Sequence, residues 1–481
     1  MRKDKGLNGD LDRLPLLTWL MFLKFLDDKE AGEESRAKLA RKPYQPTIDP
    51  PYRWRDWAAP DTLTGDDLLA FLSSEKVTLP TGTEGPGLIR ALRAYAGSTD
   101  PRRQVVGRVF DGVSNRMESG YLLRQILAQI DGIHFTSSEE ISTLGHLYES
   151  LLKEMRDAAG DSGEFYTPRA VVRFLVKAID PKLGETVLDP AAGTGGFLVE
   201  AFAHLKAQAK KAADIATLQQ HSIFGTEAKP MPYMLCQMNL LLHGLDAPAI
   251  EKANSLNRRI ADIGDGERVD SILTNPPFGG EEEKGIQNNF PADKQTAETA
   301  LLFLQLIMRL LRKKPAGRAA VVVPNGTLFG DGVCGRIKHE LLTNFNLHTV
   351  VRLPNGVFAP YSAIPTNVLF FDRTGPTADV WYYEQPLPVG RKNYTKTAPM
   401  QFEEFADCLA WWGTREETDR AWKVPAADLL AAGCNLDRKN PNAKPDAEHL
   451  PPDQLVASIL AKEAKIAAIV GEIRVLLATT P

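Results

Sequence analysis

VLDPAAGTGGFLVEA, residues 187–201, starts as an apolar strand-like run, passes through small residues and ends as a helix-forming stretch. A buried strand stopping at Asp189 and followed by Gly193, Gly195 and Gly196 makes a tight turn that a ligand can approach without meeting a Cβ. In an open α/β sheet such a turn sits at the carboxyl end of a strand, where these sheets bind ligands. No G-K-[ST] follows, so it is not a phosphate loop, and the G-x-G-x-x-G spacing of dinucleotide folds is missing. Alone, the turn identifies no ligand.

Outward from it, apolar runs and helix-length stretches alternate. The runs are TVLDP (186–190), SIFGTE (222–227), SILTN (271–275), AAVVVP (319–324), HTVVRLP (348–354) and TNVLFFDR (366–373). Helical patterns occupy 168–178, 195–211, 230–243, 298–313 and 334–344. Strands separated by helices argue for a doubly wound, mostly parallel, Rossmann-like α/β sheet. The last two strands lie close enough in sequence to pair antiparallel at an edge.

The flanks differ. Residues 1–155 read as a helical N-terminal domain, with segments at 14–29, 65–74, 87–96, 120–130 and 138–158. Its loop RKPYQPTIDPPYRWRDW, 41–57, mixes arginines with aromatics, a composition found in nucleic-acid binders. The commoner role is a loop pinned to its own domain by its rings, and that reading is preferred. Residues 156–400 read as the α/β domain that holds this sheet and 401–481 as a C-terminal extension, loop-rich around an exposed-looking CLAWWGT. In the closing stretch Leu455, Ile459, Ile466, Ile469, Ile473 and Leu476 fall near helical spacing, giving an amphipathic terminal helix.

A net charge of −4 excludes binding phosphate by bulk charge, so any nucleic-acid contact needs a local patch or a more basic partner. Four scattered cysteines without C-x-x-C spacing argue against a zinc site or disulfides and suit a reducing cytoplasm. No histidine pair has metal-ligand spacing, so no metal is expected. LPLLTWLMFLKFL, 14–26, is too short to span a bilayer and contains Lys24, so no membrane segment is expected.

Three features follow the glycine turn in order. Glu227 ends the next strand, where a carboxylate can accept both hydroxyls of a ribose; it would equally suit the start of the following helix. Asn254, in KANSL, can meet an adenine edge or simply make a turn. Then comes TNPPF: Asn275, Pro276, Pro277 and Phe278. Together they make the ordered pattern of an S-adenosylmethionine-dependent methyltransferase acting on an exocyclic amine, with Asp189, Gly193, Glu227 and Asn254 on the cofactor side. An adenine N6 is a poor nucleophile because its lone pair is delocalised into the ring. The Asn275 side-chain oxygen and the Pro276 carbonyl can accept its N–H bonds and aim the lone pair at the methyl group, by positioning and placed dipoles. The prolines stiffen the backbone, and Phe278 offers a face to a base drawn out of its duplex.

GEFYTPRAVVRFLV (163–176), DPAAGTGGFL, TNPPFGG, VVVPNGTLFG (321–330), VVRLPNGVFAPYSAIPTNVLFF (350–371) and CNLDRKNP (434–441) together resemble the modification subunit of type I restriction–modification systems. The resemblance covers nearly the whole chain and is most specific at GEFYTP. It implies methylation of adenine N6 in DNA through N-P-P-[FYW]. It also implies a cofactor enclosed by Gly163, Glu164, Phe165, Tyr166, Thr167 and Pro168 together with Thr194, Gly195, Gly196 and Glu227. The short sequence before LLTWLMFLKFL and the Pro-rich insertion after it depart from the family, so contacts made through its N-terminal domain carry over less securely. No base-reading module is visible in the chain. The resemblance accordingly implies a separate specificity subunit, two modification subunits per complex, and a motor restriction subunit that can join them.

Two competing readings share the residues. A methyltransferase of a protein glutamine amide or an RNA base could use the same N-P-P-[FY], although GEFYTP and the helical domain count against it. An inactive scaffold would not need Asn275, Glu227 and the glycines intact.

Overall fold

The structure is a computed structural model that describes residues 1, 3–134, 167–359, 364–395, 397–442 and 452–479. The helix expected over 138–158 and the domain boundary expected at 155 lie outside the described residues, as do Gly163, Glu164, Phe165 and Tyr166.

Nine strands form one sheet: β1 (Val187–Asp189), β2 (Ile223–Glu227), β3 (Ala249–Lys252), β4 (Ser271–Thr274), β5 (Arg318–Pro324), β6 (Asn346–Arg352), β7 (Thr366–Asp372), β8 (Asp379–Glu384) and β9 (Ala421–Pro425). Their spatial order is β9-β8-β6-β7-β5-β4-β1-β2-β3. The five strands from β5 to β3 run parallel, while β7 is antiparallel to both its neighbours, β5 and β6. The expected antiparallel pair is therefore present but is not an edge. β8 and β9 continue the sheet beyond it, because Val380, Tyr382 and Trp422 bury apolar side chains that a loop would leave wet. CLAWWGT, expected at the surface, is the helix Ala406–Thr414, with Cys408 and Trp411 buried. Trp411 packs on Tyr383, and Trp412 on Phe370.

Chain order steps from β1 outward through β2 to β3, then returns to the other side of β1 with β4. That reversal opens a crevice at the carboxyl ends of β1 and β4, where doubly wound sheets hold ligands. Both motifs of interest follow these two strands.

Helices cover the sheet because its strands are apolar on both faces; β5 buries Ala319 to Val323 without a break. On one face α6 (Arg169–Ile179) and α7 (Gly196–Lys206) bury Phe174 and Phe202, each worth roughly 1.5–3 kcal/mol. Thr299–Leu310 and Val333–Asn344 cover the other.

The N-terminal region is helical, as expected, and its longest helix (Asp10–Leu39) buries Trp19, Leu20, Phe22 and Leu23. Its core continues into Met234, Leu235 and Met238 of the helix Pro230–Leu242, which starts just past Glu227. The helical region is thereby anchored beside the Glu227 end of the crevice. The 41–57 loop is pinned by its rings: Trp54 and Trp57 are buried, and Arg55 pairs with Asp27 at 2.8 Å. A helix spans Pro452–Thr479, and Ile459, Ile466 and Ile469 on it are exposed. Among the described residues no helix is long and apolar enough to cross a membrane, and no His/Cys/Asp/Glu cluster could hold a metal. The four cysteines are free and buried.

Candidate active site

The glycine turn is built by its own backbone. Gly195, at φ +80, is the residue before α7, and its N–H donates to the Ala192 carbonyl at 2.8 Å. A Cβ there would lie 2.8 Å from the sulfur of Cys236, so the turn has no room for a side chain. Gly193, at φ +53, also needs the left-handed region that favours glycine. The Thr194 carbonyl accepts from Asn239 Nδ2 at 3.0 Å, tying the turn to the helix after β2.

Glu227, 7% exposed, reaches under this turn. Its Oε2 accepts from the Gly193 N–H at 2.9 Å and its Oε1 from the Lys229 N–H at 2.8 Å. Of the two roles weighed for this residue, the bond to Lys229 shows the one at the start of the next helix, and the other oxygen braces the glycine turn. Burial raises its pKa, against the pull of those N–H bonds. Asp189 is 1% exposed, and burial pushes its pKa up to about 7, with Glu227 adding to the rise. Its Oδ1 accepts from Thr274 Oγ1 at 2.7 Å and from the Ala191 N–H at 3.1 Å. Two acids buried beneath one turn make a floor that would favour a cation above it.

Asn254 caps a short turn: its Oδ1 accepts from the Leu256 N–H at 2.9 Å. Next to it, Ser255 Oγ donates to the Pro190 carbonyl at 2.6 Å, holding the β3 loop against the glycine turn. What Asn254 has left for a ligand is its amide N–H₂.

The N-P-P-F segment follows β4. Thr274, fully buried, is locked to Asp189 as described, so the segment starts from a fixed point beside the glycine turn. Asn275 Nδ2 donates to Thr167 Oγ1 at 3.0 Å, while Asn275 Oδ1 is buried with no hydrogen-bond partner among the described residues. Such an acceptor costs free energy until something donates to it. Phe278 is half-buried and meets Phe358 edge-on, with centroids 5.7 Å apart at 75°.

Thr167 and Pro168, the glycine turn, Asp189, Glu227, Asn254 and Asn275 therefore converge at one end of the sheet. Residues 163–166, assigned with them, lie outside the described region. Sequence reasoning missed Cys236, Asn239, Thr274 and Phe358. A signal existed for Asn239, one of two polar residues, with Gln237, in a largely apolar buried helix.

A family model described as N-6 DNA methylase matches residues 139–449. The chain is 47% identical to the methylase subunit of the type I restriction enzyme EcoEI from Escherichia coli, over 98% of this chain and 94% of that one. A crystal structure from Vibrio vulnificus YJ016, described as a modification subunit of a provisionally assigned type I restriction enzyme, matches with a TM-score of 0.87 at 60% identity. It covers 93% of this chain and 96% of its own. A chain from a structural study of type I restriction–modification complex assembly matches with a TM-score of 0.76 at 39% identity, covering 100% of this chain and 96% of that one. With a family model matching more than half of the chain and identity sustained over nearly its whole length, the chain belongs to the N-6 DNA methylases, as a methylase subunit of type I restriction enzymes.

Proposed function

We propose that this subunit methylates N6 of an adenine turned out of a DNA duplex, with S-adenosylmethionine bound at the glycine turn and sequence read by a separate specificity subunit. The observation that carries it is the buried Asn275 oxygen at the end of β4, without a partner among the described residues and one strand from the glycine turn. The residues fit the cofactor. Gly193, Gly195 and Gly196 put no side chain between the turn and a ligand, Glu227 can take ribose hydroxyls on its remaining lone pairs, and the acidic floor favours a cation. When bound, the cofactor supplies an electrophilic methyl group on a cationic sulfur.

The protein's own part is positioning. Asn275 Oδ1 and the Pro276 carbonyl accept the two N6–H groups, drawing nitrogen toward tetrahedral geometry. Pro276 and Pro277 keep those acceptors still, so little reorganisation remains at the moment of transfer. Phe278, steadied by Phe358, gives the extracted base an aromatic wall. Family membership favours DNA over a protein amide or RNA base. Net charge −4 supports recognition through a separate, more basic subunit, and family membership supports assembly with that specificity subunit, two methylase subunits to one, and with a motor restriction subunit. The exposed apolar residues of Pro452–Thr479 are the proposed joint. The buried free thiols fit a prokaryotic cytoplasm.

The reconstituted complex with radiolabelled cofactor tests this. Label should enter N6 of adenine in cognate duplex, and Asn275→Ala should lower the rate about a hundredfold or more while cofactor affinity changes only a few-fold. Label found in protein or RNA instead, or lost cofactor binding in Asn275→Ala, overturns the assignment.

A further inference from the structure

The bond between Asn275 and Thr167 joins two segments 108 residues apart. A carboxamide is nearly symmetric in shape, so turning it over exchanges oxygen for N–H₂ at little steric cost. The target amine is a double donor, and only the oxygen can receive it. When the oxygen faces the target, Nδ2 must point back into the protein, where a donor without an acceptor is costly. Thr167 Oγ1 is that acceptor. In the opposite orientation the threonine would donate to the oxygen, and Nδ2 would face the target amine donor to donor.

Both ends of this bond are held. Thr274 is pinned to Asp189 at 2.7 Å, so Asn275 leaves β4 from a fixed backbone. Thr167 stands immediately before Pro168, whose ring fixes φ and whose carbonyl accepts from the Val172 N–H at 3.0 Å in the first turn of α6. Val171 and Phe174 of that helix are fully buried. The hydroxyl is carried on a packed stem rather than a free loop.

We propose that Thr167 is a positioning residue for methyl transfer, holding the Asn275 carboxamide with its oxygen toward the target amine. This rests on the function proposed above, in which Asn275 receives the target. Valine matches threonine in shape and lacks the acceptor, so Thr167→Val leaves Nδ2 unpaired in the productive orientation.

The test is single- and multiple-turnover methylation of cognate duplex by the assembled complex, alongside calorimetric cofactor titration. Thr167→Val should lower kcat roughly ten- to a hundredfold, the effect of one buried unpaired donor. Its KM for DNA and its cofactor Kd should stay within about twofold of wild type. Thr167→Ser should recover to within about threefold, and Thr167→Ala, which cannot overpack the site, should repeat the loss. A wild-type kcat in Thr167→Val overturns the inference. So does a loss that appears in the cofactor Kd, which would place the hydroxyl on the cofactor, or a serine variant no better than valine, which would make packing the cause. A wild-type complex that labels no DNA fails the functional reading itself, a result separate from any ranking of the Thr167 variants.

Discussion

Gly195→Ala should damage the cofactor turn by two separable mechanisms. The first is conformational. At φ +80 and ψ +19 a Cβ meets the backbone, at about 1–2 kcal/mol for an L-residue in the left-handed region. The second is a collision. The new Cβ would stand 2.8 Å from Cys236 Sγ, and Cys236 is fully buried on the helix Pro230–Leu242, with nowhere to swing. Overpacking of this kind costs about 1–3 kcal/mol. The single variant should therefore lose about 2–5 kcal/mol in urea denaturation and bind cofactor more weakly.

Cys236→Ala separates the two. Without the sulfur, the nearest atoms to the new Cβ are Cys236 Cα at 3.5 Å and Cβ at 3.6 Å, which are ordinary contacts. The double variant keeps the backbone strain and sheds the collision. Its loss should be about 1–3 kcal/mol smaller than the sum of the two single losses, with cofactor affinity recovering in parallel. Additive losses would refute the steric account and leave backbone conformation as the whole cost.

Glu227→Gln sets an N–H₂ against one of the two N–H groups that the carboxylate now accepts, costing about 1.5–3 kcal/mol, so cofactor Kd should rise about tenfold or more with kcat at saturation little changed; an unchanged Kd would count the assignment out. For Asp189 the native pKa of about 7 lies above the ordinary 3.8, so the folded state holds the proton over that window. Its contribution to stability is complete at low pH and is lost as pH rises toward 7. Compared with Asp189→Asn, wild type should lose about 2–3 kcal/mol in urea stability between pH 5 and pH 8; parallel pH profiles for the two proteins would be the contrary result. Removing residues 452–481 should weaken co-purification with the specificity subunit and leave cofactor titration unchanged, whereas undiminished assembly would take this helix out of the joint.

The alternation of short apolar runs with helical stretches, and the order glycine turn, strand-end acid, N-P-P-F, are local patterns, legible because each depends on neighbouring residues alone. They determined the sheet class, the helical N-terminal region and the approximate bounds of β1, β2, β4, β5 and β7. Pairing is not local. ADVWYYEQP, residues 378–386, has no glycine-bounded alternation to mark a strand, and pairing with β6 on one side and β9 on the other makes β8 one. Trp411 looked exposed because nothing within a few residues could cover it; Tyr383 and Trp381, from β8, do so. At the site, sequence marked Asp189, Glu227 and Asn275 by residue type and order. Only the tertiary structure decided that Asp189 is a buried brace for Thr274, and that Thr167 and Cys236 stand against Asn275 and Gly195. Those relations arise where segments far apart in the chain pack at a single sheet edge, and a distance across a crevice is not encoded in any spacing along the chain.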